Sequence, residues 1–126
     1  MTVKVLEGDF CRKRYAPSVT INSKIKRLTI NKTGMVLLSD NSMQPRTYNN
    51  DSLQILFDDE RTDVFWVRLC VSTDVGAKRL APTSPNTKSV AIQGLLIKLK
   101  WDVDYTVRAP MVWDNEVRAA RINLKL

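Results

Sequence analysis

A chain of 126 residues, 44% hydrophobic and 26% charged, has the size and composition of one globular domain and not of a disordered chain. It carries 20 Lys and Arg against 13 Asp and Glu and has no histidine, which excludes His-dependent triads, imidazole acid–base chemistry and His-ligated metals. Its longest uncharged runs are about ten residues, short of the roughly 18 that a membrane helix needs. With no apolar signal core in its first residues, the chain is expected in the cytoplasm without a membrane partner.

The excess charge, +7 in all, falls in blocks. Residues 1–40 hold 8 basic and 3 acidic side chains, residues 41–75 hold 3 and 6, and residues 76–126 hold 9 and 4. Separated blocks predict a positive face, and such a face attracts polyanions. Cys11 and Cys70, the two cysteines, have neither zinc spacing nor a Cys-x-x-Cys redox motif. Both are read as reduced thiols, with Cys70 a small core residue.

In chain order, residues 2–6 alternate weakly and suit an edge strand. Arg12, Lys13 and Arg14 precede Tyr15 in the densest basic cluster, which pairs phosphate-binding cations with a stacking aromatic. Residues 19–21 are a short β-prone run. Residues 26–39 are expected to form a hairpin. Leu28-Thr29-Ile30 is its first strand, Asn31-Lys32-Thr33-Gly34 a turn with Gly34 free to take positive φ, and Met35-Val36-Leu37-Leu38 a buried second strand. Lys24, Lys26, Arg27 and Lys32 flank or cap it.

Residues 40–51 are polar, with Pro45, and suit a short helix or loop. Residues 53–57 and 64–70 are β-branched and aromatic, a strand pair about the acidic turn 58–63. That turn lacks the glycine and glutamate spacing of a calcium loop and reads as solvated. Residues 78–81 and 89–92 are further strand candidates. Residues 93–101 change period: Leu95, Leu96 and Leu99 share a helical face, with Lys98 and Lys100 mostly off it. Residues 107–113 and 117–124 form a last hairpin about Asp114-Asn115-Glu116, where Pro110 predicts an edge position.

The predicted fold is therefore mainly β, with one or two short helices and a hairpin–helix–hairpin order. That order repeats as a pattern over residues 26–70 and 78–124 within a single domain. Such a unit resembles the swapped-hairpin domains of AbrB- and MraZ-type transcription regulators. The matching residues are Leu28-Thr29-Ile30-Asn31-Lys32-Thr33-Gly34, then Met35-Val36-Leu37-Leu38, then Asn50-Asp51-Ser52-Leu53 before an acidic-tipped hairpin. Met35 stands where the family has glutamine, and Ser39 where it has a closing proline. The resemblance implies an intertwined β-barrel, either a dimer or a pseudo-dimer of the two halves, and DNA bound by Lys24, Lys26, Arg27 and Lys32, with Arg12, Lys13 and Arg14 as an added arm.

No histidine, no Gly-rich phosphate loop and no carboxylate pair outside a polar turn point to catalysis, so no enzyme activity, metal or cofactor is expected. A nucleic-acid-binding protein, DNA in the first place and homo-oligomeric, is the leading expectation. The alternative is a β-rich assembly protein whose hairpins, amphipathic helix, Trp66 and Trp113 form subunit interfaces.

Overall fold

A computed structural model describes residues 16–41, 51–84, 87–98 and 106–124. Strands β1 (Ser18–Asn22) and β2 (Arg27–Ile30) form a hairpin, followed by helix α1 (Lys32–Asp40). A second hairpin joins β3 (Ser52–Phe57) to β4 (Val64–Cys70). Then β5 (Lys78–Arg79) and β6 (Ala81–Ser84) lead to β7 (Thr87–Ala91), helix α2 (Gln93–Lys98) and a final hairpin of β8 (Thr106–Asp114) and β9 (Ala119–Asn123).

The nine strands form one antiparallel sheet in the order β5-β3-β4-β9-β8-β1-β2-β7-β6. Its two end strands, β5 and β6, are consecutive in the chain and separated only by Leu80. Residues 78–84 thus pair with β3 through their first part and with β7 through their last. The sheet curls into a nearly closed barrel, and the Leu80 N–H donates to Asp51 O at 2.9 Å where the chain changes partner. β8 changes partner in the same way. Residues 106–110 pair with β1, and residues 111–114 with β9.

Hairpin–helix–hairpin thus occurs twice, and the two runs interleave. β2 of the first run pairs with β7 of the second, and β4 with β9. The expected mainly β, intertwined barrel is the architecture of the molecule. Inward-facing side chains follow the period of two along each strand. Val19 and Ile21, Leu28 and Ile30, Leu53, Phe65 and Val67, Val90, and Ile122 are fully buried and meet in one core.

Three sequence expectations are corrected. Residues 26–39 are not a hairpin about Gly34. β2 ends at Ile30 and α1 begins at Lys32, while the hairpin lies earlier, with residues 23–26 as its turn. Asn31, read as a turn residue, is the helix N-cap, and its Oδ1 accepts from Gly34 N at 2.8 Å. The same side chain ties the cap to β1. Its Nδ2 donates to Ala16 O and Ser18 Oγ, and its Oδ1 also accepts from Ser18 N. Gly34 and Leu38 are buried, Met35 and Leu37 pack against the core, and Val36 is half-exposed, a helical stripe and not a strand.

Second, Gly34 is needed for space and not for positive φ. A Cβ there would meet Ile30 Cγ2 at 2.8 Å, Asn31 Oδ1 at 2.9 Å and Met111 Sδ at 2.9 Å. Third, Pro110 lies on an interior strand. Met111 N donates to Pro17 O at 2.9 Å, so the alternation of an antiparallel ladder turns residue 110 toward the β9 side. The β8–β9 ladder stops at the Met111–Ile122 pair, so no strand partner there asks for an N–H from Pro110. The expectations for residues 2–6, Cys11, residues 42–50 with Pro45, Leu99 and Lys100 fall outside the described residues.

Candidate nucleic-acid interface

Half of the barrel wall is made of β6, β7, β2, β1 and the first part of β8. No acidic residue occurs in any of these strands. Pairing fixes which side chains share the outer face. Arg108, Thr20, Thr29 and Ser89 form one cross-strand row; Thr106, Asn22, Arg27 and Ala91 form the next. Two arginines therefore lie in a field of hydroxyls, amides and methyls. Each is held against the sheet by a serine: Arg27 Nε donates to Ser89 Oγ at 3.1 Å, and Arg108 Nε to Ser18 Oγ at 3.2 Å. Two strand spacings and two residues separate their Cα atoms, about 12 Å from ideal sheet dimensions.

The β1–β2 turn adds Lys24 and Lys26, both exposed, at the edge of this face. Asn22 builds the turn, its Oδ1 accepting from Lys24 N at 3.1 Å and Ile25 N at 3.4 Å. Lys26 closes it at φ 56, in the left-handed region that disfavours any side chain with a Cβ. Lys26 O accepts from Ile92 N at 3.0 Å, which anchors the turn to the junction of β7 and α2.

The structure thus brings together Lys24, Lys26 and Arg27. Lys32 is exposed in the first turn of α1, at the far end of β2 from that cluster. Arg12, Lys13 and Arg14 lie outside the described residues. Arg108 was not singled out in the sequence. Its signal was the alternation Val107-Arg108-Ala109, which places Arg108 outward between two inward neighbours.

The other half of the wall, β5, β3, β4, β9 and the end of β8, is bordered by the acidic loops. Asp58, Asp59, Glu60 and Asp63 form the β3–β4 turn, which is solvated. Arg61 pairs with Asp63 at 3.0 Å, both exposed, and this hydrogen bond lowers the Asp63 pKa. Asp114 lies at the β8–β9 turn. Its pKa is lowered first by the Trp66 indole N–H, which donates to Asp114 Oδ2 at 3.1 Å, and further by the backbone N–H groups of Val117 and Glu116. Asp51 and Asp74 lie beside the strand ends of this half, which also carries Arg61, Arg68, Lys78, Arg79, Arg118 and Arg121, so its charges are mixed where the strands of the first half hold no acid. Among the described residues, no group of three or more Cys, Asp or Glu is placed to hold a metal.

Neither helix is presented as a reading helix. α1 packs Leu38 into the core, and α2 buries Leu95 and Leu96 while Ile97 is exposed. Cys70 is buried, and burial raises its thiol pKa.

No family model, curated protein or solved structure matches this chain.

Proposed function

We propose that the protein binds nucleic acid, duplex DNA in the first place, across the outer face of β8, β1, β2 and β7, as a regulator of swapped-hairpin type. One observation carries this reading: an acid-free sheet face holding Arg27 and Arg108, bordered by Lys24 and Lys26. Hydroxyl and amide groups between the arginines suit phosphate and sugar oxygens. No aromatic side chain lies in the described strands of this face, which favours a stacked duplex over unstacked single strands. The element order hairpin–helix–hairpin is the one the resemblance implies, but the residues that carried it, Leu28 to Leu38, form the end of β2 and α1 and not its first hairpin, so the reading rests on the charged face and not on that match.

The test is a fluorescence-anisotropy titration with random double- and single-stranded DNA. Four cations on phosphates give a log–log salt slope near −3.6, so affinity should fall on the order of 10²-fold between 50 and 200 mM salt. Changing Lys24, Lys26 and Arg27 together to glutamate should abolish binding while circular dichroism stays unchanged. Absence of binding at low salt, or unchanged affinity in that variant, refutes the reading.

The assembly reading has one observation of its own. On the opposite face, Leu56, Trp66 and Val112 form a cross-strand row interrupted only by Arg121, and Val112 is half-exposed. Light scattering of a Val112→Glu variant tests it. Loss of an oligomer present in the unmodified protein supports that reading, and a monomer in both rejects it.

A further inference from the structure

β4 stays paired with β3 as far as Cys70–Ser52, but its ladder with β9 stops at Val67–Ala120. Residues 68–70 therefore part from the β8–β9 turn, and a cavity of about 400 Å³ lies in the gap. That volume is within the range of small-molecule sites, roughly 300–1,000 Å³. Leu38 of α1, Leu69 and Val75 supply its aliphatic lining. Its polar and aromatic lining includes Arg68, Arg118, Gln54, Trp113 and Asp74, together with the buried Cys70 thiol.

Arg68 is the organising group. Its Nε donates to Gln54 Oε1 at 2.7 Å, and Gln54 Nε2 donates onward to Val75 O at 2.8 Å. Both ends of the amide are used, so its orientation and that of the guanidinium are set in advance. This is the preorganisation a binding site needs. Arg68 is only partly exposed, and its two terminal nitrogens have no carboxylate or carbonyl partner among the described residues.

Asp74, the one acid in the lining, is engaged elsewhere. Its Oδ2 accepts from Val71 N at 3.0 Å, and it forms no ion pair with Arg68. Arg68 is therefore a cation on the cavity wall that Asp74 does not pair. The Trp113 indole, partly buried against the core, adds a flat apolar wall.

We propose that this cavity binds a small anion with a planar apolar body, an aromatic carboxylate or aryl phosphate. Arg68 takes the anionic head through the paired geometry guanidinium groups favour, and Trp113 covers the ring. The site lies at the β8–β9 end of the barrel. The β1–β2 turn lies at the other end of β8, where Asn22 faces Thr106, so this inference does not rest on the nucleic-acid reading.

The probe is 2-naphthoate, titrated into the ¹⁵N-labelled full chain while the Trp113 indole N–H resonance is followed. Neutral 2-naphthylmethanol and cationic 2-naphthylmethylamine serve as comparisons. A saturable shift with 2-naphthoate is expected, with affinity at least tenfold weaker for the alcohol and no saturation for the amine. Arg68→Met should weaken 2-naphthoate at least tenfold. Arg61→Met, on the distant acidic turn, should leave it unchanged. Equal affinity for the alcohol, no saturable shift with 2-naphthoate, or unchanged affinity in a folded Arg68→Met protein overturns the proposal. If Arg68→Met does not fold, the three-ligand series on the unmodified protein still decides.

Discussion

Gly34 and Gly94 both lie in helices, and replacing each with alanine should move stability in opposite directions. In an open helix, Gly→Ala gains roughly 1 kcal/mol because alanine loses less backbone freedom. At Gly34 the new methyl would arrive 2.8 Å from Ile30 Cγ2 and 2.9 Å from both Asn31 Oδ1 and Met111 Sδ. Ile30 is fully buried and Met111 nearly so, which leaves little room to yield. Overpacking of this kind costs about 1–3 kcal/mol. The Asn31 contact matters separately, because the same oxygen caps α1, and losing a cap costs about 1 kcal/mol. Set against the helical gain, Gly34→Ala should destabilise the protein by about 2 kcal/mol.

At Gly94 nothing lies within 4 Å of the added methyl, so Gly94→Ala should stabilise by about 0.5–1 kcal/mol. Urea unfolding followed by Trp fluorescence measures both, and thermal melts should show a fall for Gly34→Ala on the order of 8 °C. A Gly34→Ala protein as stable as the unmodified one would mean that α1 does not press against β8 as described.

Three further outcomes follow from the turns. Lys26→Gly should raise stability by about 0.5–1 kcal/mol by relieving the left-handed conformation, while lowering the magnitude of the DNA salt slope by about 0.9. Arg118→Gly, at φ 59, relieves the same conformation but also removes the side chain's own interactions, so its gain in urea unfolding should be smaller, with the salt slope unchanged. Trp66→Phe removes the largest cause of the low Asp114 pKa, so the carboxyl should titrate closer to its ordinary 3.8 in a ¹³C NMR titration. A depressed carboxyl stabilises the fold above that value and loses the contribution as pH falls through its folded pKa. The stability difference between Trp66→Phe and the unmodified protein should therefore be larger at pH 6 than at pH 2.

Strand pairs with strong local patterns were legible in the sequence. β3, β4 and β8 carry β-branched or aromatic residues, β9 follows a turn with Asp and Asn, and all four occupy the expected segments. α1 was misread because Met35-Val36-Leu37-Leu38, an unbroken apolar run, suits a buried strand and a buried helix equally. Asn31 with Gly34 likewise reads as a hairpin turn or as an N-cap with its N3 residue. What decides is tertiary: α1 packs Leu38 into the core and brings Gly34 against Met111, a residue far away in sequence. At the candidate interface, Lys24, Lys26 and Arg27 stood together in the chain and stand together in the fold. Arg108 joins them only through the β1–β8 register, and Arg68 and Trp113 share a cavity only because β4 leaves β9 early.

Interleaving explains why the barrel's local signals are weak. β1 lies between β2 of its own run and β8 of the other, and β4 between β3 and β9. Neither run alone can cover the inner faces of its hairpins. Ile30 and Leu28 would lose their β7 neighbours, and Phe65 and Val67 their β9 neighbours. The core therefore forms only when residues separated by nearly half the chain have met, and such non-local pairing carries a loop-closure cost that slows folding. The charge asymmetry has the same origin. The first basic block supplies β1 and β2, and the last supplies Arg108 on β8, so the acid-free face is assembled from both ends of the sequence. The acidic middle block becomes the β3–β4 turn on the opposite wall.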